Sequence, residues 1–223
     1  MIEIIYKNDD FIVFNKPNGV LTHPVNSDSG ISVRDKLLEI KPSIKDWGIE
    51  NREGIVHRLD KVTSGVIVGA LNLETFIYLQ SLFKERKVYK EYSCLVEGHL
   101  KTQSGVIELP LSKSKQNKIK RAVSNEGKLS TSHFEVIEEF KNFSKLKINL
   151  ITGRNHQIRS QMEYLGNPII NDILYSAQKV KSLNNDQICL VSKKLKFNHK
   201  NNDYEFEADE PDFFNALINC LLY

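Results

Sequence analysis

The sequence predicts an α+β fold: a single domain whose mixed, largely antiparallel central sheet is flanked by helices and loops. Two observations carry that reading. Strand-like segments outnumber helical ones and come in consecutive runs rather than in strict β–α alternation. No linker, repeat or low-complexity tract in the 223 residues is long enough to divide the chain, so one domain over 1–223 is expected.

The first residues read as two short strands. Ile2–Tyr6 and Phe11–Phe14 are rich in β-branched and aromatic side chains, with Asn8-Asp9-Asp10 as the turn between them. Lys16-Pro17-Asn18-Gly19 and His23-Pro24 then punctuate the chain. A short helix is expected over 33–40, ahead of Pro42, and Val66-Ile67-Val68 reads as a buried strand. Asn72 can cap a helix over 73–86, where Phe76, Leu79, Leu82 and Phe83 recur at three- and four-residue spacing. Tyr92–Val96 is expected as a strand ending at Gly98, and in 145–150 Leu146, Ile148 and Leu150 alternate with polar residues. Ile158, Met162 and Leu165 predict a helix over about 155–165, with Gly166 placed to end it. Strands around 189–197 and 204–208 and a helix over 212–222 complete the series.

Composition excludes several classes of function. A chain of this length with 40% hydrophobic residues can bury a core without disulfides or metal. Cys94, Cys189 and Cys220 lie far apart with no C-x-x-C, which reads as a reduced, cytoplasmic chain. Glu3, Asp9 and Asp10 mark an N-terminus unlike a secretory signal, and no apolar run approaches the ~20 residues of a bilayer span, so no membrane association is expected. The chain has no G-x-x-x-x-G-K-[ST], G-x-G-x-x-G or G-x-S-x-G, so nucleotide-cofactor and serine-hydrolase readings have no motif. Its histidines, His23, His57, His99, His133, His156 and His199, form no H-x-x-x-H and no cluster with cysteine, and no metal site is expected. A net charge of +3 is too small to mark a nucleic-acid binder by itself.

Four segments concentrate polar side chains. Val56-His57-Arg58-Leu59-Asp60-Lys61-Val62-Thr63-Ser64-Gly65 leads straight into the strand at 66–68, which puts Asp60 in a loop at the mouth of a buried element. The plainer reading is a turn capped by Asp60 through Thr63 or Ser64, with Arg58 or Lys61 as its ion partner. Thr152-Gly153-Arg154-Asn155-His156-Gln157-Ile158-Arg159 is a glycine-containing turn feeding a helix, a geometry that suits an anion, and solvated surface arginines are the alternative. Val88-Tyr89-Lys90-Glu91-Tyr92 enters a strand, where tyrosines normally pack on neighbours. Gly166-Asn167-Pro168-Ile169-Ile170-Asn171-Asp172 reads as a structured turn.

In order, these segments resemble the RluA-type pseudouridine synthases. His57-Arg58-Leu59-Asp60 through Thr63-Ser64-Gly65 is similar to the family's H-R-L-D-x-x-T-S-G signature. Lys16-Pro17-Asn18-Gly19 with His23-Pro24 resembles its K-P-x-G turn and following H-P, and Lys90-x-Tyr92 resembles its K-x-Y strand. Thr152–Arg159, then Gly166-Asn167-Pro168-Ile169 and Asp172-x-x-Tyr175, resembles its T-G-R-x-H-Q-I-R … G-x-P-I-x-G-D-x-x-Y block. Leu195–His199 and Pro211-Asp212-Phe213 fit its closing segments, so the likeness runs from about residue 4 to 214. Gln161 stands where the family often has histidine, Asn171 where glycine is usual, and Val191-Ser192 where His-Ala is common. None of these departures removes a residue expected to do chemistry. No S4-type RNA-binding module is expected, because the likeness begins almost at Met1.

The resemblance implies an RNA enzyme that detaches uracil from its ribose at N1 and rejoins it through C5. This isomerisation is redox-neutral and transfers no external group, so no cofactor is expected. By resemblance Asp60 is the catalytic carboxylate. It would attack C1′ or the base, or assist a glycal intermediate, and the sequence leaves these open. Arg159 is implied as its ion-pair partner, with Arg154 the other candidate, and Tyr92 as the residue that stacks on the uracil. The target base must leave its stack, and Arg58 is placed by resemblance to occupy or support the vacated position. His57, Thr63, Lys90, Arg154, His156 and Gln157 are the further RNA-contacting candidates.

Charge adds a last candidate surface. From Ser112 to Lys128 the chain carries Lys113, Lys115, Lys118, Lys120, Arg121 and Lys128 against Glu126 alone. Such a run is usually a solvated loop. Beside a uridine-isomerising site, Lys118, Lys120 and Arg121 become candidates to clamp an RNA backbone. The expected partner is ribosomal or transfer RNA, and the expected state a monomer. Two other functions compete: a silent RNA-binding module with the same fold, and a hydrolase pairing Asp60 with a second acid, for which no partner carboxylate stands out.

Overall fold

The computed structural model describes residues 2–25, 30–47 and 53–221, which divide into two compact units. One comprises residues 1–89 and 192–209, the other 90–191 and 210–223. The chain passes between them three times, so neither unit is a single stretch of sequence and no composition shift marks their limits. Strands outnumber helices, in the α+β class that the sequence predicts.

In the first unit, strands β1 (Glu3–Lys7), β2 (Phe11–Lys16) and β3 (Ser64–Ala70) pair in antiparallel order. Helix α1 (Val33–Ile40) starts at a capping box, in which Ser32 Oγ accepts the Asp35 N–H and Asp35 Oδ2 accepts the Ser32 N–H. Helix α2 (Leu73–Lys84) is capped as the sequence predicts, Asn72 Oδ1 accepting the Thr75 N–H at 2.9 Å. It stops two residues before the expected end, where Arg86 turns left-handed with φ 61°. Phe11, Val13, Val66 and Val68 share one buried cluster with Phe76, Leu79 and Leu82 of α2. Leu37 of α1 packs on Gly54 and Gly69, where a Cβ would lie 2.6 and 2.9 Å from its Cδ2. Beyond β3 the order continues to β9 (Leu190–His199), whose residues from Ser192 belong to this unit, and β10 (Asn202–Glu207) pairs antiparallel with β9.

The second unit is built on β4 (Tyr89–Glu97), β5 (Ser104–Lys113), β6 (Arg121–Val123), β7 (Lys128–Glu139) and β8 (Phe143–Leu150). Their order is β4-β8-β7-β5-β6, antiparallel throughout. Helix α3 (Gln157–Tyr164) ends at Leu165, with Gly166 at φ 84°, and helix α4 (Asp212–Leu221) buries Phe214 and Leu217. Three of these strands, β5 to β7, are not foreseen in the sequence. On β7 the buried face carries Ser130, Ser132 and Phe134, while Leu129 and Ile137 are 55% and 51% exposed. Val106 of β5 is likewise 59% exposed. On β7 the alternation is thus partly inverted in polarity, which hides it from a hydrophobic period, whereas β5 buries Ile107 and Leu111 in the usual sense. Burial pushes the thiols of Cys94 and Cys189 up, away from reactive thiolates. The Cys220 side chain lies outside the described residues. No helix among them is long and apolar enough to cross a membrane.

Asp10 organises one end of the first unit. Its carboxylate accepts from Asn72 Nδ2 at 2.8 Å, His199 Nε2 at 3.0 Å and Lys200 Nζ at 2.8 Å, joining the first turn to the α2 cap and the β9–β10 turn. The Lys200 ammonium, opposed by burial and helped by His199 and Asn72, lowers its pKa from 3.8 to about 2. The stabilisation is therefore complete above about pH 4 and lost as pH falls towards 2. Asp10→Asn should lower stability at neutral pH by about 1 kcal/mol and flatten its dependence between pH 4 and 2, read from urea midpoints.

Candidate active site

The Asp60 loop is fastened on both sides of its carboxylate. Leu59 is buried, and its N–H donates to Thr22 Oγ1 at 3.1 Å while Thr22 Oγ1 donates to the Leu59 carbonyl at 2.8 Å. On the other side the Lys61 carbonyl accepts the Gly19 N–H at 2.9 Å and Lys16 Nζ at 3.2 Å, and Asn18 Nδ2 donates to the Val62 carbonyl at 2.6 Å. Thr63 N–H closes the turn on the Asp60 carbonyl at 3.1 Å. Lys16 is fully buried, and its ammonium also donates to Pro17 O and Val20 O at 3.1 and 2.7 Å. Three donors on one rotatable head meet three carbonyls that a neutral side chain could not satisfy together. The K-P-x-G segment thus works as the mount of the Asp60 loop.

Two further residues brace this loop. His57 stacks on Phe83 with ring centroids 4.4 Å apart, and its Nε2 accepts the Val68 N–H at 3.0 Å, so the neutral ring carries its proton on Nδ1. Gly65 brings β3 close to β9: it has φ 107°, and a Cβ would lie 2.2 Å from Ser192 O. Any larger residue there must part the strands directly behind the loop. Asp60 itself is half-buried and Arg58 is exposed, whereas Thr63 is buried.

In the second unit, Tyr92 and Lys90 lie buried on β4, with Tyr92 opposite Ile148 of β8. The turn before α3 is held by Gln157. Its Oε1 accepts Thr152 Oγ1 at 2.7 Å and the Arg154 N–H at 3.0 Å, and its Nε2 donates to Thr131 O at 3.1 Å and Ser132 Oγ at 2.9 Å. All four bonding positions of the amide are filled, so Gln157 works inside the fold rather than as the RNA contact expected of it. Gln161, where the family often has histidine, accepts from Ser132 Oγ at 2.7 Å and donates to Ser130 Oγ at 3.2 Å. The buried serines of β7 thereby find partners on α3. Arg154 is exposed, its Nε 3.3 Å from the Leu129 carbonyl.

Arg159 is almost wholly buried and held by Asp172 through two hydrogen bonds, Nε to Oδ2 at 2.7 Å and Nη2 to Oδ1 at 2.8 Å. Its guanidinium carbon lies 4.8 Å from the centroid of the buried Tyr175 ring. His156, left-handed at φ 53°, places Nδ1 2.9 Å from Tyr175 Oη. Asp172 and Tyr175 were absent from the expected site residues, although the D-x-x-Y spacing is visible in the sequence. The basic run is an ordered β-hairpin between β5 and β6, closed by Ser114 N–H on the Lys120 carbonyl at 3.0 Å. Lys113, Lys115 and Lys118 stand exposed at this tip. Lys120 instead pairs with Glu163, and the Arg121 N–H donates to Tyr175 Oη at 2.8 Å. The charge run is therefore strand at its ends and a mostly exposed loop over 114–120, with Lys120 held against Glu163.

Residues 10–164 match the family model described as RNA pseudouridylate synthase. The chain is 37% identical over 222 residues to ribosomal large subunit pseudouridine synthase D of Borreliella burgdorferi, covering 98% of this chain and 68% of that protein. It is 32% identical over 222 residues to the uncharacterized RNA pseudouridine synthase YlyB of Bacillus subtilis, covering 99% and 73%. Among solved structures it is similar to human RNA pseudouridylate synthase domain containing 1, with a TM-score of 0.77, 25% identity, and coverage of 99% and 87%.

Thr22→Val keeps the side-chain shape but leaves the buried Leu59 N–H and carbonyl without their partner. A loss of about 2 kcal/mol is expected, measured by chemical denaturation. Unchanged stability would mean that Thr22 does not fasten the Asp60 loop.

Proposed function

The chain belongs to the RNA pseudouridylate synthase family of isomerases acting on RNA, and on that premise we propose that it converts uridine to pseudouridine in ribosomal RNA, with Asp60 as catalytic carboxylate. The observation that carries the assignment is the double fastening of the Asp60 loop, Leu59 on Thr22 and Lys61 on Gly19 and Lys16, around a side chain that stays half-buried. A catalytic carboxylate needs such a mount, because small misplacements of a reacting group cost large factors in rate. The name of the Borreliella burgdorferi relative supports ribosomal RNA as the substrate class.

In this reading the uridine leaves its stack, at a cost of a few kcal/mol unless it already sits in a loop. Arg58, exposed two residues before Asp60, supports the vacated position with its planar guanidinium. Tyr92 stacks on the uracil, and its hydroxyl can assist a proton transfer. Asp60 acts on C1′ or on the base, or assists a glycal intermediate, and Arg159 supplies positive charge at the reacting centre. The detached base turns and rejoins through C5, whose proton leaves to Asp60 or to water, while N1 takes up a proton from solvent. The exposed Lys113, Lys115 and Lys118 contact the phosphate backbone, which makes binding weaken with salt.

Asp60→Asn should abolish pseudouridine formation while RNA binding persists, seen as loss of tritium release from 5-tritiated uridine RNA. Normal turnover by the purified variant would remove Asp60 from the chemistry. Tyr92→Phe should keep stacking and stay within about tenfold of the parent rate, whereas Tyr92→Ala should fall by roughly a hundredfold. Equal rates for all three proteins would take Tyr92 out of the site. Chemical mapping of pseudouridine in total RNA from cells with and without the gene should show a position lost from ribosomal RNA. A position lost only from transfer RNA would reassign the substrate.

A further inference from the structure

One buried side chain in the second unit touches four of the candidate RNA-contacting residues, His156, Arg159, Lys120 and Arg121. Tyr175 is fully buried. Its ring lies 4.8 Å from the Arg159 guanidinium carbon and 5.0 Å from Lys120 Nζ. Its hydroxyl accepts the Arg121 N–H at 2.8 Å and shares a hydrogen bond of 2.9 Å with His156 Nδ1. The Tyr175 N–H donates to the Asp172 carbonyl at 2.9 Å, so one short turn delivers both the carboxylate and the ring to the same guanidinium. Glu163 adds a second tie between α3 and the hairpin, pairing with Lys120 while accepting from Ser176 Oγ at 2.7 Å.

We propose that Tyr175 is a positioning residue that locks the basic hairpin and Arg159 into one arrangement for RNA. Its ring, with Asp172, sets the plane of the guanidinium. Its hydroxyl sets the base of the hairpin at Arg121 and the start of α3 at His156. The physical basis is the division of labour within one side chain: the ring face attracts cations, and the hydroxyl bonds backbone and imidazole. The kinetic consequence rests on the isomerase reading, while the mechanical one does not.

Tyr175→Phe keeps the ring and removes the hydroxyl. Hydrogen exchange at the Arg121 amide should accelerate roughly tenfold, with the Arg159 Nε–H as protected as in the parent. KM for ribosomal RNA should rise roughly tenfold and kcat stay within about twofold. Pentafluorophenylalanine at position 175 has nearly the same shape with the ring quadrupole reversed. It should speed Arg159 Nε–H exchange and lower kcat roughly fivefold below the Tyr175→Phe protein. Parent-like Arg121 exchange in Tyr175→Phe overturns the proposal, and so does Arg159 exchange that ignores the fluorinated ring. A fall in kcat matching the rise in KM for Tyr175→Phe overturns it as well. If the parent protein modifies no ribosomal RNA, the functional reading fails, and the two exchange measurements still decide the role of Tyr175.

Discussion

A buried ammonium group is the constraint on which the Asp60 loop depends. Taking the charge of Lys16 out of water costs several kcal/mol unless its donors are met, and here carbonyls of Pro17, Val20 and Lys61 meet them. Two of these carbonyls belong to the segment that follows Lys16 itself, and the third lies one residue beyond Asp60. Satisfying the ammonium therefore bends the chain after β2 and holds the loop at residues 57–63 against it. Asn18, Gly19 and Thr22 then complete the same contact with neighbouring backbone groups. The buried Lys16 ammonium thereby helps to fix the loop that carries the candidate carboxylate, Asp60.

The second unit solves a different problem. Its strand β7 turns serines inward, and buried hydroxyls are costly unless bonded. Gln157 and Gln161 of α3 supply the partners, so the polar face of the strand and the polar face of the helix require one another. That mutual requirement explains why a helix carrying Gln157, Arg159, Ser160 and Gln161 is so deeply buried. It also places Arg159 on the buried side, where Asp172 and Tyr175 can hold its plane. Scaffold and candidate chemistry share one helix because the same hydrogen bonds that seat α3 aim its arginine.

Much of the fold was legible in advance, and the failures have physical causes. The Asn72 cap, the Gly166 stop and the strands at 11–14, 66–68 and 92–96 follow from local rules of capping, left-handed glycine and side-chain period. Strand β7 was not legible, because polar partners on α3 let Ser130 and Ser132 turn inward while Leu129 and Ile137 face out. The site shows the same split. Asp60, Tyr92 and Arg159 are expected from an ordered set of motifs, whereas the bonds of Gln157 to Thr131 and Ser132 and of His57 to Val68 join residues that no local pattern links. Tyr175 is visible in the D-x-x-Y motif, but its contacts with Arg159, Lys120 and Arg121 are not, because they join segments far apart in the chain.

By itself the sequence determined the class of fold, the family and the residues that carry its motifs, because these depend on residue types at short spacing. Only the tertiary structure decided which of those residues work on the scaffold. It alone joined Lys16 to Lys61 across 45 positions, Ser132 to Gln161 across 29 and Arg121 to Tyr175 across 54. The charge run met with the same limit, since composition counts lysines but cannot say that Lys120 is paired with Glu163 while Lys118 stands in solvent. Hydrogen bonds and ion pairs act over a few ångströms in space, and nothing local in a chain records which distant groups will meet there.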